Sequence, residues 1–293
     1  MKFTLGLAQC NHPADGDVLG MVERYAASGK EQGVDLLVFP EYLMTPYETP
    51  QNQFAQAAQD LDGKFCRNVG EIAKYHGLWM VYTMNQRNSS YGWSSDALKW
   101  AQGRQGSEDL LPKPCNTAVV CDSAGVIRGS YQKTHLFGNG QVSESDRLRA
   151  GSELFVPLDT PFGRLSLAIC YDLRFPEVAR FAALRGTQLL LYPSAWVAGP
   201  GKAAQWKTLL AARAIENQLF VAGVSRGDNP AAGSAGYVGQ SCVFGPDGAC
   251  LAAAAGREPE LVVVSLDTQA LDQARAAMPV LEQRRPELYQ EQR

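Results

Sequence analysis

The sequence predicts an α/β protein whose strands are buried on both faces. Two observations lead there. Short apolar runs rich in Val, Ile, Leu and aromatic residues recur along the chain, and stretches of helical character separate them. Strands covered on both sides read as near-continuous apolar runs. The first, 3–10, carries Phe3, Leu5 and Leu7. A helix over 18–32 follows, with Val18, Val22 and Tyr25 on one face at helical spacing and Gly33 as its stop. Leu36, Leu37, Val38 and Phe39 form the second strand, 36–39. A helix over 64–75 leads to strands 79–84 and 117–121. The alternation then continues with strand 165–171, helix 177–185, strand 189–192, helix 203–217, strands 220–224, 242–244 and 261–266, and helix 268–277.

The chain has 293 residues, and a domain takes roughly 100–200. No Pro/Ser-rich linker divides it and no internal repeat appears, so one domain over 1–293 is expected. The segment 86–115 is polar and Gly-containing, with Trp93, Trp100, Pro112 and Pro114. It is long for a connection in a compact domain and reads as a loop insertion, either a lid or a surface excursion.

Lys and Arg number 27 against 30 Asp and Glu, a formal charge of -3. That balance offers no basic excess for a phosphate backbone or an anionic membrane, so neither nucleic acid nor membrane is expected as a partner. No apolar run approaches the roughly 20 residues that span a bilayer. The first residues lead into a strand and not into a signal h-region. Seven scattered cysteines without C-x-x-C spacing argue against a zinc site or a disulfide framework. A reduced, cytoplasmic protein is the expectation. With only His12, His76 and His135, His-rich metal sites are disfavoured too. The chain also lacks G-x-S-x-G, a P-loop, G-x-G-x-x-G after the first strand, and H-E-x-x-H.

Functional groups in open α/β sheets gather beyond the carboxyl ends of strands. Three such ends carry chemistry. The run 35–40 ends at Glu41, the strand-like run 129–137 holds Lys133, and the run 165–169 ends at Cys170. A lysine favours the thiolate of a nearby cysteine, and a carboxylate can take its proton during attack. Charge developing on the substrate would be met by Lys133 and the backbone N–H of Tyr171. Taken singly, each residue has a plainer reading: a buried small hydrophobe, a solvated strand-end carboxylate, an edge-strand lysine.

At these residues the chain resembles the nitrilase superfamily, the carbon–nitrogen hydrolases. The matching segments are 39–42, 133–137, 169–177, 206–218, 239–241 followed by 245–248, and the tail 279–289, in family order. The resemblance implies a four-layer αββα sandwich of two β-sheets, commonly paired as a homodimer or higher homo-oligomer across the central helices. It implies a triad of Glu41, Lys133 and Cys170, and a second glutamate at Glu144, seven residues before Gly151, which orients Lys133 or assists proton movement. It implies attack by Cys170, a thioester, release of ammonia and hydrolysis by water activated by Glu41, with no metal or organic cofactor. His135 reads as structural, on the same side of a strand as Lys133.

The segments around Cys170, Arg213 and Arg285 look most like small amidases acting on omega-amides or on deaminated glutathione. Such small-molecule amides carry a remote carboxylate, which Arg174 can pair with bidentately, unless it serves an ion pair with Glu177 or Asp172. Tyr47 resembles a pocket-lining tyrosine. The insertion departs from the family pattern, and Trp93, Trp100 and Lys113 are candidates there to reshape specificity. Lys113, between two prolines, lacks the strand context of Lys133. The alternatives are a nitrilase, an N-carbamoyl hydrolase, or a non-catalytic binding protein on this fold.

Overall fold

The structure, a computed structural model, describes residues 1–87, 112–140, 142–228 and 236–289. Most of the insertion, including Trp93 and Trp100, and the last four residues of the C-terminal tail at 279–293 lie outside the described residues. The strands are β1 (Lys2–Gln9), β2 (Leu36–Val38), β3 (Trp79–Gln86), β4 (Cys115–Cys121), β5 (Ile127–Gln132), β6 (Leu158–Thr160), β7 (Gly163–Leu167), β8 (Leu189–Ser194), β9 (Phe220–Ser225), β10 (Cys242–Phe244), β11 (Cys250–Ala253) and β12 (Glu260–Asp267). The helices are α1 (Val18–Glu31), α2 (Gln51–Ala57), α3 (Lys64–His76), α4 (Pro176–Ala183), α5 (Lys202–Asn217) and α6 (Gln269–Ala277).

They build two mixed six-stranded sheets, in the orders β12-β1-β2-β3-β4-β5 and β11-β10-β9-β8-β7-β6. β1, β2 and β3 run parallel, as do β7, β8 and β9, and the flanking strands are antiparallel. One core joins α1 and α3 to the outer face of the first sheet, through Val22, Ala26, Val69 and Ala73 against Leu37, Phe39, Met80 and Val119. A larger core fills the space between the sheets with Leu5, Leu7, Val120 and Leu167 and continues to α4 and α5 through Ala179, Trp206 and Leu210. The result is helix, sheet, sheet, helix. Among the described residues no helix is long and apolar enough to cross a membrane.

Two sequence expectations change. The strand expected over 165–171 ends at Leu167, and Cys170 opens a 3₁₀ turn, Cys170–Arg174. Asp172 causes this: its Oδ2 accepts from the Ile169 N–H at 2.8 Å, and its own N–H donates to the Ile169 carbonyl at 3.0 Å. That local bond competes with the sheet ladder and wins. Likewise β5 stops at Gln132, so Lys133 and His135 do not share a strand face. They part: Lys133 turns inward, whereas His135 bonds Asp172 at 2.8 Å and stacks on Phe175 with centroids 3.8 Å apart.

Candidate active site

Glu41 follows β2 by three residues, Lys133 follows β5 directly, and Cys170 follows β7 by three. One sheet thus contributes the carboxylate and the ammonium, and the other the thiol. All are buried, Cys170 alone reaching 9% exposure. Lys133 is pinned through its backbone, donating its N–H to Asn116 O at 2.9 Å and accepting from Gly151 N–H at 2.9 Å. A Cβ on Gly151 would collide with the Gln132 carbonyl oxygen, so only glycine brings the chain that close. This explains the Glu144-to-Gly151 spacing: the segment returns to Lys133 and lays Glu144 beside it.

The Lys133 ammonium sits between two carboxylates. Its Nζ donates to Glu41 Oε1 at 2.8 Å and to Glu144 at 2.9 Å for Oε1 and 2.7 Å for Oε2. Glu41 also accepts from Asn116 Nδ2 at 2.7 Å and from the Ala195 N–H at 2.8 Å. Glu144 accepts from the Tyr42 hydroxyl at 2.5 Å and the Phe137 N–H at 2.7 Å. Every oxygen of the two carboxylates therefore has a donor, as buried charge requires.

Electrostatics divide the roles. Burial would pull the Lys133 ammonium down, but Glu144 and Glu41 together hold it well above its ordinary range. Burial raises the Glu41 carboxyl against the opposing pull of Lys133, and Glu144 raises it further. Burial and the Glu41 charge hold the Cys170 thiol well above its ordinary value; Lys133 opposes this and is outweighed. Of the two expected aids to the cysteine, Lys133 does pull the thiol pKa down but carries two carboxylate partners of its own, which leaves the proton-accepting carboxylate as the larger part. At neutral pH the sulfur keeps its proton, within hydrogen-bonding reach of Glu41. The arrangement suits proton transfer during attack.

Two residues here have left-handed backbones, Tyr42 at φ 58° and Cys170 at φ 46°. For side-chain-bearing residues this costs roughly 1–2 kcal/mol each. Tyr42 is held by its hydroxyl on Glu144 and its carbonyl, which accepts from His12 Nε2 at 2.7 Å. Burial, helped by Arg226, pulls the His12 pKa down to about 4, so it is a neutral N–H donor at neutral pH. Cys170 is held by the Asp172 cap described above. Tyr171 is the second residue of that turn, where a backbone N–H has no intrahelical acceptor.

The other expected residues lie around this centre. Tyr47 is half-buried with its ring 5.2 Å from that of Tyr42. The Arg174 guanidinium lies over the Trp196 ring at 4.8 Å and donates to Gln205 Oε1 at 2.9 Å. Among the described residues neither Asp172 nor Glu177 ion-pairs with it; Asp172 is committed to Ile169, Tyr131 and His135. Lys113 donates to the Ser145 carbonyl at 2.7 Å. Asn116, Tyr42 and the Ala195 N–H were not singled out from the sequence. Tyr42 stood in a matching segment without a role, Asn116 one residue before an expected strand, and a backbone donor leaves no residue-type signal.

The carbon-nitrogen hydrolase family model matches residues 4–276. A nitrilase and fragile histidine triad fusion protein from Caenorhabditis elegans is 35% identical over 247 residues, 82% of this chain, which spans about half (51%) of that protein's length. Its crystal structure superposes with a TM-score of 0.83 at 30% identity, covering 99% of this chain and 66% of that one. A deaminated glutathione amidase from Escherichia coli O157:H7 is 32% identical over 261 residues, 88% of each chain. Omega-amidase NIT2 from Danio rerio is 30% identical over 294 residues, 98% of this chain and 96% of that one. An amidase from Nesterenkonia sp. AN1, solved with the acetamide moiety of fluoroacetamide covalently added to its active-site cysteine, gives a TM-score of 0.72 at 26% identity, covering 99% and 95%.

Proposed function

The chain belongs to the carbon–nitrogen hydrolase family, and on that premise we propose that it hydrolyses a small carboxylate-bearing amide through a thioester on Cys170. The observation that carries the reading is the Lys133 ammonium held between Glu41 and Glu144, with the Cys170 thiol in reach of Glu41. In the proposed cycle the sulfur bonds to the amide carbon as its proton passes to Glu41. The carbonyl oxygen takes up the electron pair and is met by Lys133 and the Tyr171 N–H. Collapse breaks the C–N bond, and Glu41 returns the proton to the departing ammonia. Water, losing a proton to Glu41, then attacks the thioester, and the proton returns to the sulfur as the acid leaves.

The substrate class rests on Arg174, the last residue of the turn that bears the nucleophile, whose guanidinium hydrogen-bonds only Gln205 among the described residues, and on kinship with an omega-amidase and a deaminated glutathione amidase. Tyr47 is assigned to the acyl pocket. The reading extends to a cytoplasmic homodimer that needs no nucleic acid or membrane.

Ammonia release from 2-oxoglutaramate, succinamate, deaminated glutathione, N-carbamoyl compounds and nitriles tests it. Turnover of a dicarboxylate monoamide is expected, together with hydroxamate formation when hydroxylamine competes with water. Cys170→Ala should fold and release no ammonia. Ammonia from that variant would overturn the mechanism, and carbon dioxide from a carbamoyl substrate would move the chain to another branch of the family.

A further inference from the structure

Arg147 closes the 3₁₀ turn that carries Glu144, its N–H donating to the Glu144 carbonyl at 3.0 Å. Its side chain reaches the opposite wall, the segment running from Tyr42 to α2. There Nη1 donates to the Tyr47 carbonyl, Nη2 to the Thr49 carbonyl, and Nε to Gln51 Oε1 at 2.9 Å. Gln51 answers by donating to the Arg147 carbonyl at 3.3 Å. The guanidinium carbon also lies 4.6 Å from the Tyr47 ring centroid and 4.7 Å from that of Phe54, within cation–π range. All three kinds of guanidinium nitrogen are engaged with one segment, 47–51, that runs into the start of α2.

The same two segments are tied a second time, by the Tyr42 hydroxyl on Glu144. The inner tie fixes the charge on Lys133. The outer tie reaches the loop and the two rings without touching the triad. We infer that Arg147 is a positioning residue that sets the acyl-pocket wall at Tyr47, with the fully buried Phe54 packed behind the guanidinium, and so governs substrate fit but not bond-breaking. This rests on the assignment of Tyr47 to the pocket. Only the planar fork can serve three acceptors on one loop while lying against the rings; a lysine's single nitrogen cannot.

Arg147→Lys and Arg147→Ala test this on the amide the wild type turns over best. Both should raise KM about tenfold, the scale of one charge-assisted bond, with kcat within about threefold of wild type. Low millimolar guanidinium should lower KM for Arg147→Ala and leave Arg147→Lys unmoved. Hydrogen exchange of the full-length protein supplies a readout independent of turnover: 42–53 should exchange faster in both variants, and 163–169 should not change. That measurement keeps a failure of the amide reading distinct, since it holds even for a chain silent on every amide tested. Wild-type KM or unchanged exchange in Arg147→Lys would overturn the inference, as would a loss of kcat at constant KM. Collapse of Arg147→Ala alongside normal kinetics in Arg147→Lys would overturn it too, because the charge alone would then suffice.

Discussion

Glu144→Gln removes one charge from the centre and leaves nearly the same shape. The two carboxylate oxygens that face Lys133 are separated by at most the 2.8 and 2.9 Å bonds laid end to end, about 6 Å. At an effective dielectric of about 20, a unit charge at about 6 Å acts with about 2.8 kcal/mol. Glu144 raises both Glu41 and Cys170, so its loss lowers both. In the proposed cycle Glu41 must be ionised to accept the thiol proton, so activity should rise with pH through its pKa. The acid limb of kcat/KM, expected above the ordinary carboxylate range in the wild type because Glu41 is raised, should move to lower pH in the variant. The plateau should fall tenfold to a hundredfold, because Lys133 loses a charge-assisted partner worth about 1.5–3 kcal/mol. Stability should fall by about 3 kcal/mol, the low end for breaking a buried pair, since Glu41 still matches the ammonium. Initial rates of ammonia release across pH, with iodoacetamide labelling of Cys170 read by peptide mass, measure these effects. An acid limb that stays in place or moves upward, with labelling no faster than wild type, would refute the electrostatic reasoning.

Asn116→Ala should act in the opposite sense. Hydrogen bonds to the charged form hold a carboxyl down, so losing Asn116 Nδ2 should move the acid limb to higher pH and lower kcat/KM about tenfold; the pH–rate profile decides. Asp172→Asn should lower unfolding free energy by about 3 kcal/mol in urea titrations, because a buried carboxylate serving Ile169, Tyr131 and His135 becomes an amide with one acceptor oxygen. Unchanged stability would remove it as the clamp on the Cys170 turn. Arg174→Ala should raise KM for carboxylate-bearing amides tenfold to a hundredfold, against little change for neutral ones. Equal shifts on both would take Arg174 out of substrate recognition.

Much of the frame was legible because buried strands leave a strong signature. The apolar runs at 36–39, 79–84, 189–192 and 220–224 became β2, β3, β8 and β9, and the functional side chains just past strand ends proved to meet. What stayed hidden was short or antiparallel. β6 and β11 are short, partly exposed edge strands, β5 reads in the sequence only as a strand-like run displaced toward 129–137, and α2 spans only seven residues. The overlong strand at 165–171 shows a different limit: Ile169 and Cys170 are apolar enough to continue β7, and only a carboxylate three residues beyond Ile169 ends it. Within the site, side-chain chemistry announced Glu41, Lys133 and Cys170. The donors that hold Glu41 in place, an asparagine and a backbone N–H, are types found everywhere in a sequence, and only three-dimensional proximity singles them out.

Why a site should bury two glutamates for one lysine follows from counting charge through the proposed cycle. At rest the thiol, the two carboxylates and the ammonium sum to one negative charge. Attack neutralises Glu41 and creates an oxyanion, so the sum is unchanged and the negative charge has moved from one side of Lys133 to another. Moving a charge within a preorganised site costs far less than creating one there. At that moment, however, Glu41 no longer balances the ammonium. A lysine with a single carboxylate partner would face neutral glutamic acid in a dry cavity, where burial favours loss of its proton. In this scheme Glu144 is not the proton acceptor and its two oxygens stay bonded to Nζ, so Lys133 still has a partner when the oxyanion most needs a cation. On this argument the defect in Glu144→Gln should appear in the acylation step, where the oxyanion first forms, and pre-steady-state ammonia release should slow as much as steady-state turnover.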